Sequence, residues 1–564
     1  MPKSKNGRAL GRILMIVRPV FVSDVRWRVF AWLGLLVSLV FGVIILNVVN
    51  SYVNRGFMTA IQERKNDVYI RMGILYLLVF AASTVVAVFQ KFSEERLAIL
   101  WRGWLTAHLL NMYLNERGYH RLMERGDIDN PDQRISEDVK TFTTTTLSFL
   151  LMLTNATMTA IAFASVLWMI TPVLLFVSVG YAIVGSLVTI LVGRKLVGLN
   201  NLQLKKEADF RHDLIHVREY ADSIALFRGE AKQKARLYDR LGELVENFRE
   251  ITSVNRNLGF FTVGYNYMIQ IIPILIVAPM FIRGQVEFGV VTQSIGAFAT
   301  ILGAFSLIIT QFPLISSFAA VVERLGTIWE VLDGEKRPPE TSITMIDDDN
   351  RLAYEHLTLV TPKDGSVLVR DLTLDVPTGR RLLIQGPDGI GKSALARATA
   401  GIWPTGTGTI IRPGRDQIMF VPQRPYTALG TLRDQFYDVY HGKSISDERL
   451  IQVLCQVSFG PHLDRLGGLD VERDWANLLT VGEQQLLSIA RLLVAAPKYA
   501  FLDRATNALS MPRVRHIYQI LSESKITYIS VGDQPGLREF HDDVLELLPD
   551  GQWTVGPTRE PAAA

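Results

Sequence analysis

Six stretches of the chain are apolar almost without interruption. Residues 29–49 contain only Ser38 and Asn47 as polar positions, and 72–89, 147–170, 173–192, 260–282 and 288 to about 322 follow. A helix needs about 20 apolar residues to cross a hydrocarbon core of about 30 Å, so the pattern predicts six membrane-spanning helices. The last run exceeds one span and reaches Glu323-Arg324, so it is expected to continue past the membrane. Between spans two and three, and again between four and five, lie long polar segments with helix-friendly composition, 91–145 and 193–259. The connections after spans three and five are short.

The basic residues orient this bundle. Lys3, Lys5, Arg8, Arg12, Arg18, Arg26 and Arg28 crowd the start, and positive loops stay on the cytoplasmic side. Both long polar segments and the C-terminus are then cytoplasmic as well. The first run is too long, and begins too late, for a cleavable signal peptide. After Glu330 the pattern changes. Leu332-Asp333-Gly334-Glu335-Lys336-Arg337-Pro338-Pro339 reads as a linker, and beyond it come short β-branched runs, glycine turns and amphipathic helices, the marks of an α/β domain. The expected division is a helical transmembrane domain over 1–331, a linker over 332–345, an α/β domain over 346–556 and a disordered tail over 557–564. Composition agrees: 49% hydrophobic and 20% charged over 564 residues, with a mean hydropathy of +0.21. That excludes a disordered chain and an ordinary soluble enzyme. A net charge of +4 is too mild for a nucleic-acid partner, and the single cysteine, Cys455, excludes an intrachain disulfide framework.

The α/β domain carries a phosphate-binding pattern. Leu382-Leu383-Ile384-Gln385 reads as a buried strand, Ala394 to Thr399 as the start of a helix, and between them stands Gly386-Pro387-Asp388-Gly389-Ile390-Gly391-Lys392-Ser393. Glycines let backbone N–H groups curl around phosphate oxygens, and the helix N-terminus adds its positive end. Lys392 is expected on the outer phosphates and the Ser393 hydroxyl on Mg²⁺. Downstream, Tyr499-Ala500-Phe501-Leu502-Asp503 is a buried strand ending in a carboxylate, the second Mg²⁺-holding element of nucleotide-binding folds.

In order and spacing these residues resemble the ATP-binding cassette (ABC) transporters. Gln423 after the strand 418–422 matches the Q-loop, Leu479-Thr480-Val481-Gly482-Glu483-Gln484 the signature, and Ala508-Leu509-Ser510 the D-loop. The resemblance implies a six-span domain with long intracellular helical extensions followed by a P-loop cassette. It also implies ATP and Mg²⁺ as ligands, with Ser393, Gln423 and Asp503 around the metal. In this family two cassettes sandwich two ATPs, so one membrane domain with one cassette is a half-transporter and works as a dimer. Within the membrane half, Trp101-Arg102-Gly103-Trp104-Leu105-Thr106, Asn130-Pro131-Asp132-Gln133-Arg134-Ile135 and the stretch from Phe210-Arg211 to Gly229-Glu230 look like motifs of the SbmA/BacA peptide importers and of the peroxisomal fatty-acyl half-transporters. A bacterial inner-membrane importer of peptides or other bulky hydrophilic solutes is the implied relative.

The chain departs from the family where water is attacked. The position after the Walker B aspartate, normally glutamate, is Arg504, which has donors only and cannot be a general base. The position of the switch histidine holds Asp533. The adenine-stacking aromatic is replaced by Thr361-Pro362, which leaves Tyr354 as a candidate, and Ala394 stands where a second hydroxyl is common. Nucleotide binding with slow hydrolysis is expected, and Arg504 and Asp533 are expected to pair. Three roles fit: a homodimeric importer driven partly by protons, with Glu94, Glu95, Glu287 or Glu323 as proton sites; a degenerate half of a heterodimer serving export or lipid or fatty-acyl transport; or an ATP-sensing membrane protein. Asn155, Thr157, Tyr265, Asn266, Gln270 and Gln293 either face a cavity or pair between helices.

Overall fold

The computed structural model describes residues 5–125, 128, 130–334, 342–362, 364–403, 405–436, 445–534 and 536–558. They form two compact units, divided between Glu335 and Lys336.

The first unit is all helix. Its elements are α1 (Lys5–Val17), α2 (Arg26–Gln62), α3 (Asn66–Leu114), α4 (Gly118–Arg125), α5 (Pro131–Gln133), α6 (Val139–Ile170), α7 (Pro172–Glu219), α8 (Ala221–Leu226), α9 (Glu230–Ile282), α10 (Phe288–Thr310) and α11 (Phe312–Gly334). A π-turn at Arg134–Asp138 joins α5 to α6. Among the described residues, five helices are long and apolar enough to cross a membrane, namely Arg26–Gln62, Asn66–Leu114, Pro131–Ile170, Glu230–Ile282 and the Phe288–Phe305 part of α10. The fourth expected span, 173–192, lies within α7, one helix from Pro172 to Glu219. Leu77, Leu78 and Phe80 on α3 are each more than 60% exposed, and apolar surface of that extent is comfortable in hydrocarbon rather than water.

The polar segments are helical, as their composition predicts. The helices α3 and α7 each carry an apolar stretch onward into a polar one without a break, and α9 carries a polar stretch onward into an apolar one. One expectation fails. The last apolar run is not one helix, because it breaks at Gln311 between α10 and α11. Pro313 explains the break: a proline lacks the N–H that an unbroken helix needs and is tolerated in a helix's first turn. The motif around Asn130–Ile135 has a structural use. Its Arg134 Nη1 donates to the Arg324 carbonyl at 3.2 Å, and Arg324 returns a two-pronged bond to buried Asp138 at 2.7 and 2.6 Å, tying α11 to the π-turn.

Two of the four candidate proton carboxylates, Glu94 and Glu287, are partnered. Glu94 accepts from Ser148 Oγ at 2.7 Å and from Lys91 at 3.1 Å. Glu287 accepts from Arg55 at 3.4 Å and from Thr59 at 3.5 Å. Of the polar span residues, Tyr265 pairs between helices: its hydroxyl donates to the Tyr181 carbonyl, Tyr181 reciprocates, and the rings stack at 4.2 Å.

The second unit is α/β. Its elements are β1 (Ser342–Asp347), β2 (Arg351–Val360), β3 (Val367–Pro377), β4 (Leu382–Gln385), α12 (Lys392–Thr399), β5 (Gly406–Arg412), β6 (Ile418–Val421), α13 (Asp447–Gln456), α14 (Gly460–Leu466), α15 (Trp475–Leu478), α16 (Val481–Ala495), β7 (Tyr499–Asp503), α17 (Met511–Glu523), β8 (Thr527–Val531), β9 (Asp543–Leu547) and β10 (Trp553–Pro557). A four-stranded sheet has the order β1-β5-β2-β3, and a six-stranded sheet the order β10-β9-β4-β8-β7-β6. In the larger sheet β9, β4, β8, β7 and β6 run parallel, and only β10 is antiparallel. Burial on both faces explains why β4, β7 and β8 read as unbroken apolar runs. The strand ends at Gln385, Asp503 and Val531 therefore open on one edge, and the functional residues follow them. The linker is shorter than expected, since α11 continues to Gly334 and β1 begins at Ser342. Most of the expected tail, 559–564, lies outside the described residues.

Candidate nucleotide site

The loop between β4 and α12 has the backbone that its glycines were expected to supply. Gly386, Gly389 and Gly391 have φ of 142°, 78° and 114°, a region L-residues rarely enter. Gly386 is also held by space, since a Cβ there would lie 2.4 Å from the Leu547 carbonyl oxygen. Lys392 opens α12 with only 3% of its side chain exposed. Its Nζ donates to the Gly386 carbonyl and, at 2.7 Å, to Asp533 Oδ2. Ser393 Oγ donates to Asp503 Oδ1 at 3.2 Å, which brings together the hydroxyl and carboxylate expected around Mg²⁺. Ala394 is buried beneath the loop. The cradle, the lysine and the hydroxyl–carboxylate pair fit a Mg²⁺-nucleotide.

Next to it the expected catalytic glutamate is absent and a cation network stands in its place. Arg504 has φ of 51°, an uncommon conformation for a residue with a side chain. Its backbone N–H bonds to the Val531 carbonyl at 3.0 Å. Its Nη2 donates to Asp388 in the phosphate loop and, at 3.5 Å, to Asp533. The expected pair is therefore present, and it is part of a chain Lys392–Asp533–Arg504–Asp388. The hydrogen bond from Arg504 holds the Asp388 carboxyl below its usual range, and Asp388 in turn raises Arg504. At position 504 itself, where the family has glutamate, the side chain offers donors only.

The signature is built from local rules. Thr480 caps α16: its Oγ1 accepts from the Glu483 N–H at 3.3 Å, and Glu483 Oε2 accepts from the Thr480 N–H at 2.8 Å. This reciprocal cap satisfies two N–H groups that a helix start would leave open. Arg465 donates to Glu483 Oε1 at 2.5 Å, and His462 lies 3.1 Å from the same oxygen. Burial alone would raise the Glu483 carboxyl, but the Thr480 bonds and the two basic neighbours outweigh it and hold it low. Gln484 Nε2 donates to the Ala476 and Leu479 carbonyls, both at 3.0 Å. Gly482 packs against the D-loop, where a Cβ would lie 3.2 Å from the Ala508 carbonyl oxygen.

One residue of this run had no assigned role. Gln485, 1% exposed, donates to the Gln423 carbonyl at 3.1 Å and to the Arg504 carbonyl at 3.4 Å, and accepts from the Ala508 N–H at 3.0 Å. A single amide thus ties the Q-loop, the Arg504 turn and the D-loop together. The only sequence signal was a glutamine on the buried face of an otherwise apolar helix. Gln423 enters this tie through its backbone, and its side chain is exposed.

Tyr354 is not an adenine platform. It is 1% exposed within the smaller sheet, and its hydroxyl pairs with Thr399 Oγ1 at 2.8 Å, so its ring has no face to offer. His541 does not replace the switch histidine. It is buried, with Nδ1 on the Leu537 carbonyl at 2.7 Å and Nε2 on Ser530 Oγ at 2.9 Å.

Comparisons with known proteins agree with this architecture. Residues 16–282 match the family model "ABC transporter transmembrane region 2", and 369–507 match "ABC transporter". The chain is 39% identical over 560 residues to an uncharacterized ABC transporter ATP-binding protein of Synechocystis sp., covering 96% of this chain and 85% of that one. It is 36% identical to ABC transporter D family member 2, chloroplastic, of Arabidopsis thaliana (88% and 80% covered). It is 30% identical to the lysosomal cobalamin transporter of Mus musculus (87% and 86% covered). One helical membrane unit, one cassette and these matches along both place the chain in the ABC transporter family, as a half-transporter homologous to its D family.

Proposed function

We propose that this chain is one half of a dimeric importer in a bacterial cytoplasmic membrane, with both termini inside. It carries peptides or other bulky hydrophilic solutes, holds ATP with Mg²⁺, and hydrolyses it slowly. The single observation that carries the reading is the network at the catalytic corner. Lys392 and the Ser393–Asp503 pair keep the phosphate grip, while Arg504 and Asp533 stand where a base and a histidine are required. Loss of a positioned base costs about 10²–10⁴ in rate. The resemblance to SbmA/BacA importers supports the solute class, and so does a relative that transports cobalamin, itself bulky and hydrophilic. A proton gradient then supplies part of the driving force.

A second reading is favoured by the intact signature corner. Capped and charge-paired, it is suited to complete the active site of a different, hydrolytically competent partner chain. The test is equilibrium nucleotide binding and turnover on the chain purified alone in lipid nanodiscs. Mg²⁺-ATP binding that Lys392→Ala abolishes, with turnover at least about 10²-fold below that of an intact cassette, is the expected result. Rapid turnover that Lys392→Ala removes would overturn slow hydrolysis. A chain that stays monomeric alone but dimerises with a second half-transporter would favour the heterodimer.

A further inference from the structure

Within the membrane unit, α2 carries two unlike faces over its last turns. Phe41, Ile45, Val49 and Tyr52 are exposed and apolar or aromatic. At about 100° per residue they fall on one side of the helix. Asn47, Asn50, Ser51 and Asn54 fall on the opposite side. That polar side lines an open cavity of about 330 Å³, which Thr292 and Gln293 of α10 also line. Polar backbone and side-chain groups turned toward hydrocarbon cost several kcal/mol each. This side of α2 is therefore built for a water-filled passage, and the apolar side for lipid.

The cavity is polar but uncharged: its lining holds amides, hydroxyls and aromatic rings and no ionisable carboxylate or base. The nearby ion pair, Arg55 with Glu287 at 3.4 Å, is self-compensated. Two amides in the lining are not satisfied by the protein. Gln293, 2% exposed, uses its Nε2 on Ser51 Oγ at 3.2 Å, and its Oε1 has no partner. The Asn50 Oδ1 is likewise buried without one. Turning either amide over exchanges a free acceptor for a free donor and still leaves an orphan. Buried polar atoms are nearly always paired, and these two unpartnered oxygens belong to residues that line the same cavity.

We propose that this cavity is a solute-binding subsite that recognises an uncharged amide: the peptide bond of a peptide, or a primary carboxamide on a larger solute such as a corrinoid. An amide offers a donor and an acceptor side by side and so suits a lining of amides and hydroxyls, which present both. An acyl chain answers neither, and an anionic headgroup finds no cation in the lining. The inference rests on the reading of the chain as an importer of bulky hydrophilic solutes, and it adds the residues and the chemistry by which such a solute is held.

The test uses the full chain in lipid nanodiscs and three probes: a dansylated, end-blocked uncharged octapeptide, cyanocobalamin, and palmitate, which has an acyl chain and a carboxylate but no amide. The expected result is saturable binding of the peptide or of cyanocobalamin, weakened about ten-fold or more by Gln293→Met and by Asn50→Leu, with Mg²⁺-ATP binding and the dimeric state unchanged. Val49→Ala, on the lipid side of α2, leaves the affinity where it was. Which amide probe binds identifies the source of the amide. Should Gln293→Met fail to assemble, Asn50→Leu and Thr292→Val, at half-buried positions, decide. A probe that binds wild type and ignores these substitutions overturns the subsite and leaves the importer standing. Binding of palmitate alone, or of no probe, overturns the hydrophilic-solute reading itself and the subsite with it.

Discussion

The two corners of the cassette that a nucleotide would meet are built in opposite ways. At the signature, Glu483 is buried and answered from both sides, by the Thr480 cap and by Arg465 and His462. The charge there is the family's own and every bond serves one helix start. At the catalytic corner, Arg504 and Asp533 carry the reverse of the charges that hydrolysis needs, and half of the Asp533 side chain is open to solvent. Yet that corner is not a set of unmatched replacements. Arg504 finds Asp388 and Asp533, and Asp533 finds Lys392. Charges can thus be exchanged within a site whose phosphate-binding groups stay in place.

The largest effect is expected from undoing that exchange. Arg504→Glu alone sets a third carboxylate beside Asp388 and Asp533, where like charges repel and a base is poorly poised. Asp533→His alone leaves the histidine facing Arg504 and Lys392. The pair together, Arg504→Glu with Asp533→His, restores a base and a γ-phosphate donor and is expected to raise turnover by about 10²–10⁴. Each single change should give less than a tenth of that gain. Turnover of the double variant and both singles, read as a cycle, measures the coupling. If the double variant is as slow as wild type, the two corners differ for some other reason than these charges.

What was readable in the sequence follows the same division. The phosphate loop, the Asp503 strand and the signature were legible because each is local. Glycine positions, a capping residue three before a glutamate, and an apolar run before an aspartate all lie within a few residues. The reversed charges were legible too, as residue types. Their partners were not all so, since Asp388 and Arg504 are 116 positions apart and nothing in the composition of the loop marks Asp388 as a partner. Tyr354 misled because an aromatic near the expected place says nothing about which side of a sheet it occupies, and its side proved to be the core. Gln485 was visible only as a polar residue on an apolar face, and its three partners come from three loops. In the membrane unit the apolar runs gave the helices directly. The break at Gln311 had a signal in Pro313 that the run's overall hydrophobicity obscured.

A middle-sized effect probes the strand behind Asp533. Burial pushes the His541 imidazole down to about 4 from an ordinary 6.5. Its Nδ1 faces a carbonyl and so carries the proton, which makes Nε2 the acceptor from Ser530. Above pH 6.5 both folded and unfolded chains hold the ring neutral. As pH falls from 6.5 toward 4 the unfolded chain takes up a proton that the folded cassette refuses, so stability drops through that window by roughly 3 kcal/mol and then levels. Thermal melting of the cassette at pH 7 and pH 5 should show this drop in wild type and a shallower one in His541→Gln. An equal slope in both would mean that the histidine is more accessible than its burial implies. It would then be a contender for the switch role at the catalytic corner.

The smallest effect separates the nucleotide-facing residues from the frame behind them. The Thr399 hydroxyl donates to the Leu395 carbonyl at 2.8 Å, so in its pair with Tyr354 the tyrosine is the donor. Tyr354→Phe removes that one bond, keeps the ring and leaves Thr399 with its other partner. A loss of about 1 kcal/mol in cassette stability is expected, with nucleotide affinity unchanged. A tyrosine stacked on a base at the surface would behave otherwise: its hydroxyl would stand in water, and its removal would cost nothing measurable in stability. Chemical denaturation of the two proteins side by side therefore decides whether position 354 belongs to the nucleotide corner or to the core that supports it.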